Sequence, residues 1–425
     1  MQLITNAKIL TDGHLKQQDI LIDGQYIKQV GDKIIPAEGV EVIDADGAFL
    51  SAGLVDVHVH FREPGFEYKE TIATGSRAAA RGGFTTVLAM PNLNPVPDTA
   101  ERIKKQIVLN KAHGVVNIEQ YGAISSNLIS EEISDIRTMS NEGAIAFSND
   151  GKGVQTADTM LHAMVAAAQV NKPLVAHLED NSLLHDGVMN SGKIAEKLGL
   201  PGITDLAESA QLARDLVLAK ATGVHYHVAH ISTKESVALV RIAKREGVKV
   251  TAEVSPHHLL LSDSDIHSDN ALFKMNPPLR SQEDREAVLA GLIDGTIDMV
   301  ATDHAPHGTE EKSVSFKEAP FGITGIETSF QLLYTHLVKS GMITLETLIQ
   351  RMVNAPINAF QLEAPTKIAD GQIANMALFD IDHKSTIKVN DFESLGKNTP
   401  FIGWEIYGTT LATWVEGKIV YHLKP

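Results

Sequence analysis

The chain has 425 residues, of which 43% are hydrophobic and 21% charged, a composition typical of a globular protein with a large core. Its formal net charge of −16 and the lack of any Lys/Arg-rich block argue against a nucleic-acid partner, because nucleic-acid binders present a basic face. Cysteine is absent, which excludes disulfides and thiolate metal sites and leaves nitrogen and oxygen as metal ligands. No basic segment precedes an apolar one at the N-terminus and no long apolar run occurs, so we expect a cytoplasmic protein without a membrane anchor.

The first 51 residues predict short strands joined by glycine turns. Strands are predicted at 2–10, 19–30 and 40–50, with turns at Asp23-Gly24 and Asp46-Gly47. From Leu54 the pattern changes to alternating strands and helices. The predicted strands are 54–60, 85–90, 116–124, 144–148, 174–177, 225–230, 248–254 and 298–302. The predicted helices are 71–81, 100–112, 131–141, 159–170, 207–222, 234–246, 284–292 and 345–360.

Eight strands that alternate with helices predict a closed (β/α)₈ barrel, since parallel strands need helical crossovers. A doubly wound open sheet is the alternative, which periodicity alone does not exclude. Beyond residue 365 the strand pattern returns. The predicted strands there are 375–380, 385–389, 404–407 and 411–423. We therefore predict an α/β protein with two domains: a barrel over 52–365, and a small composite β-sandwich formed by 1–51 plus 366–425.

Two histidines end the first barrel strand. Valines alternate with Asp56, His58 and His60, so the two imidazoles project from one face of the strand and can hold one metal ion. Arg62 follows, where a guanidinium can bind a substrate carboxylate through two hydrogen bonds. A buried strand that carries two histidines by coincidence is the competing interpretation.

Four more metal-competent residues follow other strands. They are Asp150, His177, His230 and Asp303, each at or just past the end of an apolar run. Barrel enzymes keep their active sites at this end of the strands, so the six side chains should converge. Four histidines and two aspartates exceed the three ligands of one catalytic zinc and suit two metal ions.

In the predicted centre, His58 and His60 hold one ion with Asp303 beside it, and His177 and His230 hold the other. Asp150 and a hydroxide bridge the two ions. Asp303 takes a proton from the water and returns it to a leaving nitrogen, which is the chemistry of amide hydrolysis or its reversal.

Five segments resemble the dihydroorotases, in particular the bacterial class I enzymes of the amidohydrolase superfamily, and the resemblance runs over essentially the whole chain. The segments are His58-Val59-His60-Phe61-Arg62-Glu63-Pro64-Gly65, Ala89-Met90-Pro91-Asn92, Val175-Ala176-His177-Leu178-Glu179-Asp180, Asn276-Pro277-Pro278-Leu279-Arg280 and Ala301-Thr302-Asp303-His304-Ala305-Pro306-His307.

The resemblance implies reversible cyclisation of N-carbamoyl-L-aspartate to L-dihydroorotate in pyrimidine synthesis, with two zinc ions per subunit. It implies that Arg62, Asn92 and His307 receive the substrate carboxylate and that His60 also contacts substrate. Asn276, with the backbone of Phe321 and Gly322, is implied to contact the ring or its amides. A homodimer is implied, and association with aspartate carbamoyltransferase is a further expectation.

Three alternatives stay open at this point. Lys152, as a carboxylated lysine, is an alternative bridge between the metals, although it falls past Gly151 in the loop beyond the strand. A hydantoinase, dihydropyrimidinase or allantoinase would share the barrel and the metals, but its neutral ring gives no reason for Arg62. A non-catalytic partner of aspartate carbamoyltransferase is disfavoured because all six metal ligands are intact.

Overall fold

The N-terminal segment forms five strands in the computed structural model, which describes residues 1–423. They are β1 (Gln2–Thr11), β2 (His14–Asp23), β3 (Tyr26–Gly31), β4 (Glu41–Asp44) and β5 (Phe49–Ala52). β1, β2 and β3 pair antiparallel, and the chain reverses at the predicted Asp23-Gly24 turn. β4 and β5 run parallel to β1.

The central segment contributes eleven strands. They are β6 (Leu54–Val59), β7 (Phe84–Ala89), β8 (Asn117–Gln120), β9 (Gly122–Ala123), β10 (Phe147–Ser148), β11 (Leu174–Ala176), β12 (Met189–Asn190), β13 (Gly202–Ile203), β14 (Tyr226–Val228), β15 (Val250–Val254) and β16 (Met299–Val300). β12 and β13 form a separate parallel pair in the connection after β11. The other nine lie at the eight predicted barrel positions, because β8 and β9 are one strand interrupted at Tyr121.

These strands close into the predicted barrel. β6, β7 and β8 pair in parallel, as do β9, β10, β11, β14, β15 and β16 in that order. The ring closes where His304, past β16, bridges Val59 of β6 and its carbonyl accepts the backbone N–H of His60 at 2.9 Å. All strands run the same way, so their carboxyl ends meet at one mouth.

Helices connect the strands and cover the barrel. They are α1 (Ile72–Arg81), α2 (Ala100–His113), α3 (Ile136–Asn141), α4 (Ala157–Gln169), α5 (Lys193–Leu198), α6 (Leu206–Thr222), α7 (Lys234–Arg245), α8 (Pro256–Leu260), α9 (Gln282–Asp294), α10 (Thr309–Lys312), α11 (Ser329–Leu333), α12 (Leu345–Ile349) and α13 (Ala355–Phe360). A π-helical turn at Gln350–Asn354 joins α12 to α13, so the predicted helix 345–360 is continuous. No helix among the described residues is both long and apolar enough to cross a membrane.

One predicted helix is shorter than expected. The pattern over 131–141 predicts a helix, but α3 begins only at Ile136. Ile133 is held extended by a β-bridge to Ser125, and the backbone N–H of Ser134 donates to the carbonyl of Ile124. Asp135 then caps α3 by accepting from the N–H of Thr138. These tertiary hydrogen bonds outweigh the local helical pattern.

The C-terminal segment adds β17 (Met376–Asp380), β18 (Ser385–Thr386), β19 (Glu405–Ile406), β20 (Thr409–Val415) and β21 (Lys418–His422). β17 pairs with β5, which joins the two ends of the chain in one eight-stranded sheet of order β21-β20-β17-β5-β1-β2-β3, with β4 beside β1. The sheet curls, since Tyr26 of β3 bridges Ile373 just before β17. Its concave side encloses a separate core around the fully buried Trp414. The domain limits 1–51 plus 366–425 and 52–365 stay a prediction.

Candidate metal centre and anion pocket

Six buried side chains meet at the mouth of the barrel, and we call them the metal cluster. Its members are His58, His60, Asp150, His177, His230 and Asp303, all at most 5% exposed. His58 lies on β6, and the others follow β6, β10, β11, β14 and β16 within four residues. The convergence that the sequence predicts is therefore found in the structure.

Asp150 occupies the centre of the metal cluster. Its Oδ1 lies 3.2 Å from His58 Nε2 and 3.5 Å from both His177 Nδ1 and His230 Nε2. Its Oδ2 lies 3.4 Å from His60 Nε2. One carboxylate thus touches all four histidines, which is the position of a bridging ligand. Lys152, the alternative bridge, is exposed in the loop beyond Gly151.

Asp303 lies on the His58–His60 side of the cluster. Its Oδ1 is 2.9 Å from His60 Nε2 and 3.4 Å from His58 Nε2. Burial alone would raise the pKa of Asp303, but the neighbouring His58 and His60 outweigh burial and lower that pKa to about 2. The lowered pKa favours the carboxylate form of Asp303, which is the form that can accept a proton.

The donor set fits divalent metal ions. Three groups of three residues each bring their ligand atoms within 4.8 Å of one another: His58/His60/Asp150, Asp150/His177/His230 and His58/His230/Asp303. One group contains the pair His58 and His60, another contains the pair His177 and His230, and Asp150 belongs to both of these groups. His58 Nε2 and Asp150 Oδ1 are buried and lack a hydrogen-bond partner among the described residues, as expected for atoms that bind a metal.

Charge supports the same assignment. Burial alone would lower the pKa of His58, yet the carboxylates of Asp150, Asp303 and Glu253 outweigh burial and raise it well above its ordinary value. A buried cluster with this excess of negative charge is stabilised by positive charge, which metal cations provide.

Glu253 is a buried residue of the site that the sequence analysis missed. From β15, its Oε1 lies 2.6 Å from His58 Nδ1 and accepts from the backbone N–H of His230 at 3.3 Å, while Oε2 lies 2.9 Å from His227 Nε2. It therefore fixes the His58 ring with Nε2 facing the cluster. The sequence does contain a signal for Glu253, since it is the charged residue of a strand that is otherwise largely apolar. His227, which belongs to none of the motifs, lies in the same hydrogen-bond network.

Three predicted substrate contacts, Arg62, Asn92 and His307, lie beside the metal cluster, and we call them the anion pocket. Arg62 follows His60 with φ of 62° and donates from Nε to the carbonyl of Pro306 at 3.3 Å. Asn92 Oδ1 lies 2.8 Å from His60 Nδ1, so this residue also orients a metal-cluster ring. His307 is 5% exposed in the loop past β16.

The remaining predicted contacts face the same space. Asn276 donates from Nδ2 to Glu179 and lies 3.5 Å from His177 Nε2. The carbonyl of Phe321 lies 2.8 Å from His307 Nε2, and the backbone N–H of Gly322 donates to Lys274. A cavity of about 180 Å³ is lined by eleven of the twelve predicted site residues, and His58 lies behind its wall.

Backbone strain is concentrated at the same mouth. Arg62, His230 and Asp303 have φ values of 62°, 32° and 46°, which L-residues rarely adopt. Such conformations persist where the surrounding structure holds them, typically at functional sites. His304, next to Asp303, places its ring 3.5 Å from the Glu70 carboxylate.

A closed (β/α)₈ barrel with paired histidine–aspartate ligand groups at the carboxyl ends of its strands defines a metal-dependent amidohydrolase. The solved structure of an L-hydantoinase (dihydropyrimidinase) from Arthrobacter aurescens shares this fold, with a TM-score of 0.87 and 24% sequence identity over 99% of this chain and 96% of that one. At that identity the likeness shows the fold alone.

Relatives with higher sequence identity identify the family within this class. A family model described as "Dihydro-orotase-like" matches residues 47–236. A dihydroorotase from Lactobacillus leichmannii is 53% identical over 422 residues, covering 99% of this chain and 98% of that protein. A dihydroorotase from Ligilactobacillus salivarius is 54% identical over 421 residues, with the same coverage of 99% and 98%. The chain belongs to the dihydroorotase family.

Proposed function

We propose that the metal cluster and the anion pocket together catalyse the reversible ring closure of N-carbamoyl-L-aspartate to L-dihydroorotate in pyrimidine synthesis. Membership of the dihydroorotase family, at 53% identity over nearly the whole chain, gives the activity. The observation that carries the residue assignment is one cavity that holds both the Asp150-centred ligand groups and Arg62. The substrate ring bears a carboxylate, which requires a cation at that place.

The metal cluster is proposed to hold two zinc ions. His58 and His60 would bind one ion and His177 and His230 the other, with Asp150 shared between them and Asp303 beside the first. When bound, the metals would lower the pKa of water and polarise the ring carbonyl. Zinc suits the nitrogen and oxygen donors present, which carry no thiolate.

Asp303 is proposed to carry the proton. In the hydrolytic direction, water oxygen adds to the ring carbonyl carbon and the bond from that carbon to the ring nitrogen breaks. Asp303 accepts the proton of the attacking water and delivers it to the departing nitrogen, which leaves as the carbamoyl amide. Its ionised state and its place 2.9 Å from His60 Nε2 support this role. Ring closure follows the same path in reverse.

The anion pocket is proposed to receive the ring carboxylate. Arg62 offers a fixed positive charge, and Asn92 and His307 offer N–H donors beside it. Asn276 and the backbone of Phe321 and Gly322 are proposed to contact the ring amides, and His60 to contact substrate as well as metal. A homodimer and an association with aspartate carbamoyltransferase stay predictions drawn from the family resemblance, and a cytoplasmic location stays a prediction drawn from the sequence.

Substrate comparison tests this proposal. Zinc-reconstituted protein should hydrolyse L-dihydroorotate, and hydantoin and dihydrouracil should be poor substrates because neither carries the carboxylate that Arg62 would bind. If only the neutral rings are turned over, the catalytic role of the metal cluster would stand but the assignment of L-dihydroorotate as substrate would be wrong. Protein that binds metal but turns over none of the three would favour the non-catalytic partner.

A further inference from the structure

Both ring nitrogens of His307 are engaged. Nδ1 lies 3.2 Å from Nζ of Lys69, and Nε2 lies 2.8 Å from the carbonyl oxygen of Phe321. The ring packs against Gly322, where a Cβ atom would come within 2.8 Å of it, and the His307 backbone N–H donates to Asn398. These contacts hold the ring in one orientation at the edge of the cavity.

The two partners determine which nitrogen carries the proton. A lysine ammonium only donates hydrogen bonds and a carbonyl only accepts them. Nδ1 must therefore present its lone pair to Lys69, and Nε2 must carry the hydrogen that it donates to Phe321. Phe321 and Gly322 line the cavity, whereas Lys69 does not, so the N–H is on the substrate side of the ring.

Lys69 is itself held in place. Its Nζ lies 2.9 Å from Oε1 of Glu311, and its side chain is 14% exposed. The other carboxylate oxygen of Glu311 accepts the backbone N–H of Gly308, at the start of α10, at 2.9 Å. The ammonium is thus fixed between the loop that precedes α1 and the loop that carries His307.

We infer that Lys69 is a positioning residue that keeps His307 neutral with its proton on Nε2, ready to donate to the substrate carboxylate in place of the Phe321 carbonyl. This inference rests on the proposed function. Electrostatics supports it, since burial and the positive charges of Arg62, Lys69 and Lys312 lower the pKa of His307 to about 2. A negatively charged group, Glu311, also faces the ring, with its carboxylate 3.5 Å from Nδ1. This carboxylate is already paired with the Lys69 ammonium.

Kinetics of Lys69→Met and Lys69→Arg test the inference. Loss of one orienting hydrogen bond should raise KM for L-dihydroorotate about 3- to 10-fold while kcat changes less than about two-fold. Lys69→Arg keeps a cationic donor and should restore KM to within about two-fold of wild type. Lys105→Met, which removes a lysine from the exposed Glu101–Lys105 ion pair on α2, is the matched control and should leave KM unchanged.

A double-mutant cycle separates positioning from general structure. If Lys69 acts through His307, then Lys69→Met in a His307→Gln background should cause no further rise in KM. Additive effects of the two substitutions, or an unchanged KM in Lys69→Met, would overturn the inference.

Histidine ring ¹⁵N spectra test the proton position without turnover. The His307 signals can be assigned by their absence in His307→Gln, and they should show a protonated Nε2 and an unprotonated Nδ1 in the wild-type protein. Lys69→Met leaves the Glu311 carboxylate, 3.5 Å from Nδ1, without its lysine partner, so it competes with the Phe321 carbonyl for the proton and a mixture of forms should result. Failure of the wild-type protein to turn over L-dihydroorotate would refute the proposed function. In that case the spectra alone would decide the inference, and a protonated Nδ1 in the wild-type protein would overturn it.

Discussion

The metal cluster and the anion pocket share one cavity but are built differently. The members of the metal cluster lie on a barrel strand or within four residues of its end, so the barrel itself brings them together. In the anion pocket, Arg62 and Asn92 also follow barrel strands, β6 and β7, within four residues, but His307 lies further out, in the long connection after β16 that also carries Phe321. Strand ends give a fixed, repeatable position for chemistry, whereas loops adapt the same mouth to one substrate. The comparison predicts that changes in the cluster affect catalysis or metal binding, and that changes in the pocket affect substrate binding.

The largest effect is expected from Asp303→Asn, which keeps the shape of the side chain and removes the proton acceptor. The value of kcat should fall by about 10²- to 10⁴-fold, the usual contribution of general acid–base catalysis, with little change in KM. Metal content, measured by elemental analysis, should stay unchanged because Asp150 and the four histidines remain. A variant with near-normal kcat would remove Asp303 from the proton path.

Arg62→Met should act on substrate binding. Hydrogen bonds to charged groups are worth about 1.5–3 kcal/mol, so kcat/KM for L-dihydroorotate should fall about 10- to 150-fold, mostly through KM. Steady-state kinetics at saturating zinc measure the effect. Arg77→Met, which removes an arginine from the half-exposed Arg77–Glu393 pair, is the matched control. Equal losses in the two variants would argue against a specific role in carboxylate binding.

Glu253→Gln tests whether the Glu253 carboxylate orients His58 for metal binding. Removing the charge that orients a metal-binding histidine typically weakens metal affinity about 10- to 100-fold, measured here by competition with a chelator. Glu327→Gln alters another buried carboxylate, which pairs with Arg81 away from the cluster, and should leave metal affinity unchanged. A similar loss in both variants would point to general destabilisation.

These effects would sharpen what the sequence already predicts. The alternation of valines with polar residues placed His58 and His60 on one face of a strand. The positions of Asp150, His177, His230 and Asp303 at the ends of apolar runs predicted that these side chains meet at the same mouth. Such inference works because parallel strands in a barrel end at one mouth. Contacts between distant loops carry no local pattern, so Lys69, which meets His307 across 238 positions, gave no signal. Glu253 was missed because its partner His58 lies on a strand remote in sequence, and the helix over 131–141 was overpredicted because tertiary hydrogen bonds decide that segment.

The smallest effect concerns Lys312, whose ammonium donates to the carbonyls of Lys274 and Pro320 beneath the anion pocket. Burial, with the nearby charge of Lys274, lowers the pKa of Lys312 to about 7. Between that value and about 10.4, an ordinary lysine pKa, the unfolded chain binds a proton that the folded chain lacks, so this group makes the free energy of unfolding rise with pH.

Denaturant unfolding at pH 7, 8 and 9 tests this sign. The wild type should gain up to about 1.4 kcal/mol per pH unit relative to Lys312→Met, in which the titrating amine is absent. Parallel pH dependence in the two proteins would show that Lys312 titrates normally.

The most direct test of the whole account is a metal titration of chelator-stripped protein. L-dihydroorotate hydrolysis should be absent without metal, rise as zinc is added and level off at two equivalents per chain. Asp150→Ala should not recover this activity at the same zinc concentrations. Full activity in stripped protein, or a plateau at one equivalent, would contradict a two-metal centre shared through Asp150.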